Sequence, residues 1–165
     1  MIREKASKIK LLLLDVDGVL TDGKITITDA GEEIKTFDVK DGFGIKALLA
    51  AGIEVALITG RTSQIVQYRA DELGINKVYQ GITDKKSVCK QLIKDMGLAR
   101  HEVCSVGDDL PDMTMFSESG LRIAVADATK EVCESADLTT KNKGGHGAVR
   151  EVCELLLKSQ KKWDM

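Results

Sequence analysis

Short apolar runs alternate along this chain with longer amphipathic stretches, and several runs close on an acid, a threonine or a glycine. Ile9 to Val16, Ile53 to Ile58, Lys77 to Tyr79, Glu102 to Val106 and Leu121 to Val125 read as strands, with Asp137 to Thr140 as a short last one. Helical stretches run from Asp41 to about Ala51, Ser63 to Leu73, Asp84 to about Met96, Pro111 to Ser117, Lys130 to Ser135 and Ala148 to Lys158. Gly52, Gly74 and Gly97 stop the first three. In the last, Val149, Val152, Leu155 and Leu156 share one face. This order predicts an α/β fold: a Rossmann-like parallel sheet with helices on both faces. One segment breaks the pattern. Lys24 to Thr28 and Glu33 to Phe37 alternate with period two around Asp29-Ala-Gly-Glu, which predicts a small β-hairpin over about 24–37. The pattern holds no stretch long enough for a second, inserted domain.

The 165 residues suit a single domain over 1–165. Hydrophobic residues make up 43% and charged residues 30%, which argues against disorder. A formal net charge of -2 and a pI near 5.8 disfavour nucleic acid and membrane surfaces as partners. Cys89, Cys104, Cys133 and Cys153 form no CxxC pair and only two histidines are present, so a structural zinc site is disfavoured. Each cysteine lies in an apolar run, which fits buried thiols in a reducing compartment. The charged N-terminus is no secretory signal and Leu11 to Leu14 is too short to span a bilayer, so a cytoplasmic location is expected.

In a parallel α/β sheet, ligands bind beyond the carboxyl ends of the strands. The first strand ends in Asp15-Val-Asp17-Gly18, two carboxylates directly after four leucines. An Asp-Gly turn with both acids solvated accounts for one carboxylate but poorly for the pair. The next strand ends in Thr59-Gly60-Arg61, either a helix cap or an oxyanion grip. Lys85 opens a helix, where the macrodipole disfavours a cation; a bound anion would explain it. Gly107-Asp108-Asp109-Leu110-Pro111-Asp112 puts three acids in five residues. Capping accounts for Asp109 or Asp112 and leaves Asp108, which suggests a hard cation. Carboxylates, a hydroxyl and a lysine at successive strand ends suit metal-assisted phosphoryl transfer.

DVDGV (15–19), ITG (58–60), Lys85 and GDD (107–109), in that order, resemble the four motifs of the haloacid dehalogenase superfamily. DGVLTDG (17–23), ITGR (58–61), GDDLPD (107–112) and GGHGAVREV (144–152) resemble its small capless branch of sugar-acid phosphatases. The resemblance covers essentially the whole chain. It implies Asp15 as nucleophile, Asp17 as general acid and base, and Thr59 and Lys85 on phosphoryl oxygens. It implies magnesium on Asp15, the Asp17 carbonyl and Asp108. Gly18, Gly60, Arg61 and Arg69 are the implied substrate-binding residues, the two arginines being candidates for a carboxylate. Arg69 also reads as an ordinary helix-surface arginine. Gly144 and Gly145 would let a C-terminal segment approach a ligand. Relatives of this branch form homotetramers in which neighbours help roof the site.

The resemblance implies, from the arginine at 61 where the nine-carbon subgroup carries an acid, a preference for 3-deoxy-D-manno-octulosonate 8-phosphate, a precursor in lipopolysaccharide synthesis, over nine-carbon sialic-type 9-phosphates. Two other readings are a silent oligomerisation domain of the same fold and a response-regulator receiver. The retained acid, hydroxyl and lysine set argues against the first. The position of the DVD pair at the close of the first strand argues against the second.

Overall fold

The computed structural model describes residues 1–164. The elements follow the chain as α1 (Ile2–Ala6), β1 (Leu11–Leu14), β2 (Thr26–Ile27), β3 (Glu33–Ile34), α2 (Val39–Ala50), β4 (Glu54–Ile58), α3 (Gln64–Leu73) and β5 (Lys77–Tyr79). Then come α4 (Lys85–Asp95), β6 (Val103–Gly107), α5 (Met113–Phe116), β7 (Leu121–Ala124), α6 (Lys130–Ser135), β8 (Leu138–Thr139) and α7 (Ala148–Ser159). Six strands form one parallel sheet in the order β5-β4-β1-β6-β7-β8, as the alternation requires. The chain leaves β1 toward β4 and β5 and returns on its other side at β6. β1 is therefore the switch point, and its carboxyl end opens a crevice.

The four leucines of β1 explain the two-sided core. Leu12 and Leu14 pack into the larger cluster with α2, α3 and α7, while Leu11 and Leu13 face Cys89 and Leu92 of α4 and Met115 of α5. Alternate side chains of a strand point to opposite faces, so a run buried on both sides must be apolar throughout.

The hairpin is present but shorter than its sequence pattern: β2 and β3 pair antiparallel over two residues each, with Ile25, Ile27 and Ile34 exposed. The N-terminal helix α1 escapes a periodicity reading because it has only five residues. Ala6 buries against the core and Lys5 bonds Asp137 at 2.9 Å. The segment from Pro111 begins as a single 3-10 turn, Leu110–Asp112, before α5. α2 starts before Asp41, because Asp38 is its cap and accepts from the Lys40 N–H at 2.7 Å.

Asp41 has a different use. It is buried, and its Oδ1 accepts the Arg150 N–H at 2.8 Å, in the first turn of α7. Gly147, the N-cap of α7, has no side-chain oxygen, and Asp41 supplies one from another helix. The cysteines are all free: Cys89, Cys104 and Cys153 are buried and Cys133 is half-buried.

Candidate active site

Asp15 follows the last residue of β1 and is mostly buried. The chain then turns tightly: the N–H groups of Val19, Leu20 and Thr21 all converge on the Val16 carbonyl. The Thr21 hydroxyl accepts from the N–H groups of Gly18 and Gly23, both at 3.2 Å. Gly18 has φ +91°, and a Cβ there would stand 1.9 Å from Asp108 Oδ2. Only glycine lets the β1 loop and the β6 loop come this close. Gly144 and Gly145 press on the same loop from behind. A Cβ on Gly144 would lie 1.7 Å from the Gly18 carbonyl oxygen, and the Gly145 N–H donates to Val19 at 3.0 Å. The approach expected toward a ligand is thus an approach to the loop carrying Asp15 and Asp17.

Lys85 enters from the first turn of α4 and is 5% exposed. Its Nζ donates to Asp15 Oδ1 at 3.0 Å and to Asp112 Oδ1 at 2.8 Å. The anions that draw this lysine to a helix N-terminus include two of the protein's own carboxylates. Burial opposes its charge, yet those two carboxylates hold its pKa above the ordinary lysine value. Asp112 has no oxygen to spare, because Oδ2 accepts the N–H groups of Asp108 at 2.9 Å and Asp109 at 3.3 Å. It is the brace of the β6 loop, a role that reading it as a local helix cap did not reach. Gly107 makes room for it, since a Cβ there would meet Asp112 Cβ at 2.4 Å.

Carboxylate oxygens of Asp15, Asp108 and Asp112 all lie within 4.8 Å of one another. Fully ionised, the three carboxylates would outnumber the one ammonium by two negative charges. Burial and the Asp112 charge push Asp15 up to about 6. Burial, Asp112 and Asp15 push Asp108 up to about 9. An all-oxygen cluster with this charge deficit fits a hard divalent cation. The Asp17 carboxylate lies outside the cluster and bonds Lys35 of the hairpin, so any metal role for Asp17 falls to its main-chain carbonyl.

A cavity of about 620 Å³ opens over these groups. Asp15, Asp17, Thr59, Gly60, Lys85 and Asp108 line it, with Arg61 at its edge. Thr59 is buried just past β4, its N–H bonded to the Tyr79 carbonyl at 3.0 Å. Arg69 lies outside this cavity. It bonds Glu72 at 2.8 Å, reaches the Asp38 carbonyl at 3.4 Å and stands over the Phe37 ring at 5.6 Å. Lys35 and Glu33 are the residues that motif reading missed. A signal existed: the period-two alternation of 33–37 puts both on the face opposite Ile34.

The four sequence motifs converge on one crevice, and known proteins share both the sequence and the fold. A family model described as haloacid dehalogenase-like hydrolase matches residues 75–152. The 3-deoxy-D-manno-octulosonate 8-phosphate phosphatase KdsC of Escherichia coli (strain K12) is 48% identical over 160 residues, covering 97% of this chain and 85% of that protein. This chain belongs to the haloacid dehalogenase-like hydrolases. Among solved structures of this hydrolase's relatives, the 3-deoxy-D-manno-octulosonate 8-phosphate phosphatase of Yersinia pestis superposes with a TM-score of 0.96 at 43% identity, covering 98% of this chain and 87% of that one. The Moraxella catarrhalis phosphatase of the same name, in complex with magnesium, phosphate and KDO, superposes with a TM-score of 0.96 at 45% identity. That match covers 99% of this chain and 94% of that one.

Proposed function

We propose that this hydrolase is a magnesium-dependent phosphatase of 3-deoxy-D-manno-octulosonate 8-phosphate. The observation that carries the reading is the buried Lys85 between Asp15 and Asp112, with Asp108 beside them, at the floor of the cavity. Near-full-length relatives named for this activity support the substrate. Asp15, Asp108 and the Asp17 carbonyl would hold the metal, which when bound would supply positive charge to the phosphoryl oxygens and the nucleophile.

Asp15 attacks phosphorus, the bond to the sugar oxygen breaks, and its electron pair leaves on that oxygen. Asp17 donates the proton that releases the sugar alcohol. A water then attacks the aspartyl-phosphate; Asp17 takes its proton, and Asp15 departs as carboxylate from inorganic phosphate. Thr59, Lys85 and the backbone at Gly60 hold phosphoryl oxygens; Gly18, expected from the sequence to join them, does not line the cavity, and its N–H is committed to the Thr21 hydroxyl. Arg61, at the cavity edge, is the partner we assign to the sugar carboxylate. Arg69 is tied down elsewhere.

We read the chain as one domain over 1–165, working as a homotetramer in the cytoplasm on a lipopolysaccharide precursor. The exposed Ile25, Ile27 and Ile34 of the hairpin support assembly. No helix among the described residues is long and apolar enough to cross a membrane.

The test is phosphate release from a panel: the eight-carbon 8-phosphate, nine-carbon sugar-acid 9-phosphates and hexose phosphates, with magnesium or EDTA, beside Asp15→Asn. Selective turnover of the eight-carbon acid, abolished by EDTA and by Asp15→Asn, is expected. Preference for a nine-carbon acid would overturn the substrate and the reading of Arg61. No turnover by folded protein with magnesium would leave an assembly domain.

A further inference from the structure

Lys35 is a cationic side chain at the crevice that the reaction above does not use; the residue is half-buried and its side chain is covered. Its side chain is 3% exposed, and Nζ stands 2.5 Å from Asp17 Oδ1 and 2.7 Å from Glu33 Oε1. Glu33 Oε2 in turn lies 3.5 Å from an Arg61 guanidinium nitrogen. Charges therefore alternate along Asp17, Lys35, Glu33 and Arg61, from the acid–base carboxylate to the cavity edge.

A lysine with a covered side chain gives up hydration and rotamer freedom, so it needs strong partners. Both of its partners here are carboxylates, and only one belongs to its own hairpin. A hairpin of two residues per strand is marginal by itself. Ile25, Ile27 and Ile34 face outward and do not dock it. The Lys35 and Glu33 ion pairs are contacts that tie it to the crevice. Asp17 precedes Gly18 in the loop after β1 and lines the cavity, and its carboxylate takes its direction from the Lys35 ammonium.

We propose that Lys35 is a positioning residue for Asp17: it aims the Asp17 carboxylate at the leaving-group oxygen, and does so only while the hairpin is docked. The inference rests on the acid–base role given to Asp17 above. It makes the hairpin part of the catalytic apparatus.

A positioning role and a packing role differ in their dependence on the leaving group. An octulosonate 8-alkoxide needs a proton in order to leave; p-nitrophenolate does not. Lys35→Met, Glu33→Gln and Asp17→Asn should be compared with the unaltered protein on the sugar phosphate and on p-nitrophenyl phosphate. Single-turnover measurement or the p-nitrophenolate burst isolates the first chemical step. For Lys35→Met we expect sugar-phosphate cleavage to slow 30-fold or more with KM changed less than threefold. The p-nitrophenolate burst should change less than threefold. Glu33→Gln keeps the Asp17–Lys35 contact but weakens the docking pairs, and should show the same leaving-group split in smaller measure, with KM for the sugar phosphate raised through Arg61.

Equal losses of Lys35→Met on both substrates, or no loss on either, overturn the proposal. If Asp17→Asn shows the leaving-group split and Lys35→Met does not, the positioning role alone is wrong. If Asp17→Asn shows no split, its acid role is wrong and the inference falls with it. Circular dichroism and the magnesium-induced shift in Tm establish that each variant is folded.

Discussion

Asp41→Asn is expected to stabilise the protein at neutral pH and to flatten its stability between pH 4 and pH 6. Asp41 is 1% exposed, and its Oδ2 has no hydrogen-bond partner among the described residues. Burial is the largest influence on its pKa, opposed by the Arg150 N–H, and the result is a rise from 3.8 to about 6. An acid whose folded pKa is raised binds its proton more tightly in the native state. Its contribution is therefore most favourable below the unfolded value. It weakens as pH rises from 3.8 to about 6 and is constant above that. Two pKa units correspond to about 3 kcal/mol. Asparagine keeps an acceptor for the Arg150 N–H and exchanges one unpaired buried polar atom for another. The net gain should be about 1–3 kcal/mol at pH 7.5 and near zero at pH 4. Urea unfolding at fixed protein concentration, across pH 4.5–8, measures it. Asp41→Leu also removes the acceptor and should be about 2 kcal/mol less stable than Asp41→Asn throughout that range. If Asp41→Asn is less stable at pH 7.5 with an unchanged pH slope, the carboxylate is ionised. Its attraction to the N-terminus of α7 then outweighs burial, and the reasoning fails.

Lys85→Met should abolish measurable turnover and lower apo stability by about 3–5 kcal/mol, since Asp112 is left buried without its cation. The same change should tighten magnesium binding by isothermal titration, because the cluster loses its one ammonium; weaker binding would refute the charge argument. Gly144→Ala must displace either its own segment or the Gly18 carbonyl. A loss of about 1–3 kcal/mol in urea unfolding, with a fall in kcat, is the expected outcome. Ile27→Lys should dissociate the proposed tetramer in light scattering, and an unchanged mass would remove the hairpin from the interface. Asp137 is held far below the ordinary carboxylate range by Arg122 and Lys5. That contribution is full above about pH 4 and is lost as pH falls further. Asp137→Asn should cost about 1–2 kcal/mol at pH 7 by urea unfolding and much less in acid.

Much of the site was legible because its residues violate local expectation. Asp15 and Asp17 follow four buried leucines, Asp108 stands where capping does not need it, and Lys85 opposes a helix dipole. Each misfit can be resolved only by a partner outside its own segment, so each pointed at chemistry. Asp112 and Lys35 raised no such alarm. An acid in the first turn after a glycine-rich loop is an ordinary cap, and a lysine alternating with isoleucine is an ordinary hairpin surface. Arg69 shows the converse: a fork-shaped cation near the motifs looked suited to a carboxylate, whereas in the structure it bonds Glu72 and the Asp38 carbonyl and stands over Phe37, outside the cavity.

The sequence by itself determined the parallel α/β order, the four strand ends that meet in one crevice, and the family to which the chain belongs. Hydrophobic periodicity and motif spacing are properties of contiguous residues, so a linear reading recovers them. The tertiary structure decided which charges neutralise one another. Lys85 is paired across 70 residues with Asp15 and across 27 with Asp112; Asp41 caps a helix 109 residues away; and Lys35 reaches back 18 residues to Asp17. The energy of a buried ion depends on what lies within a few ångströms, and sequence distance carries almost no information about that.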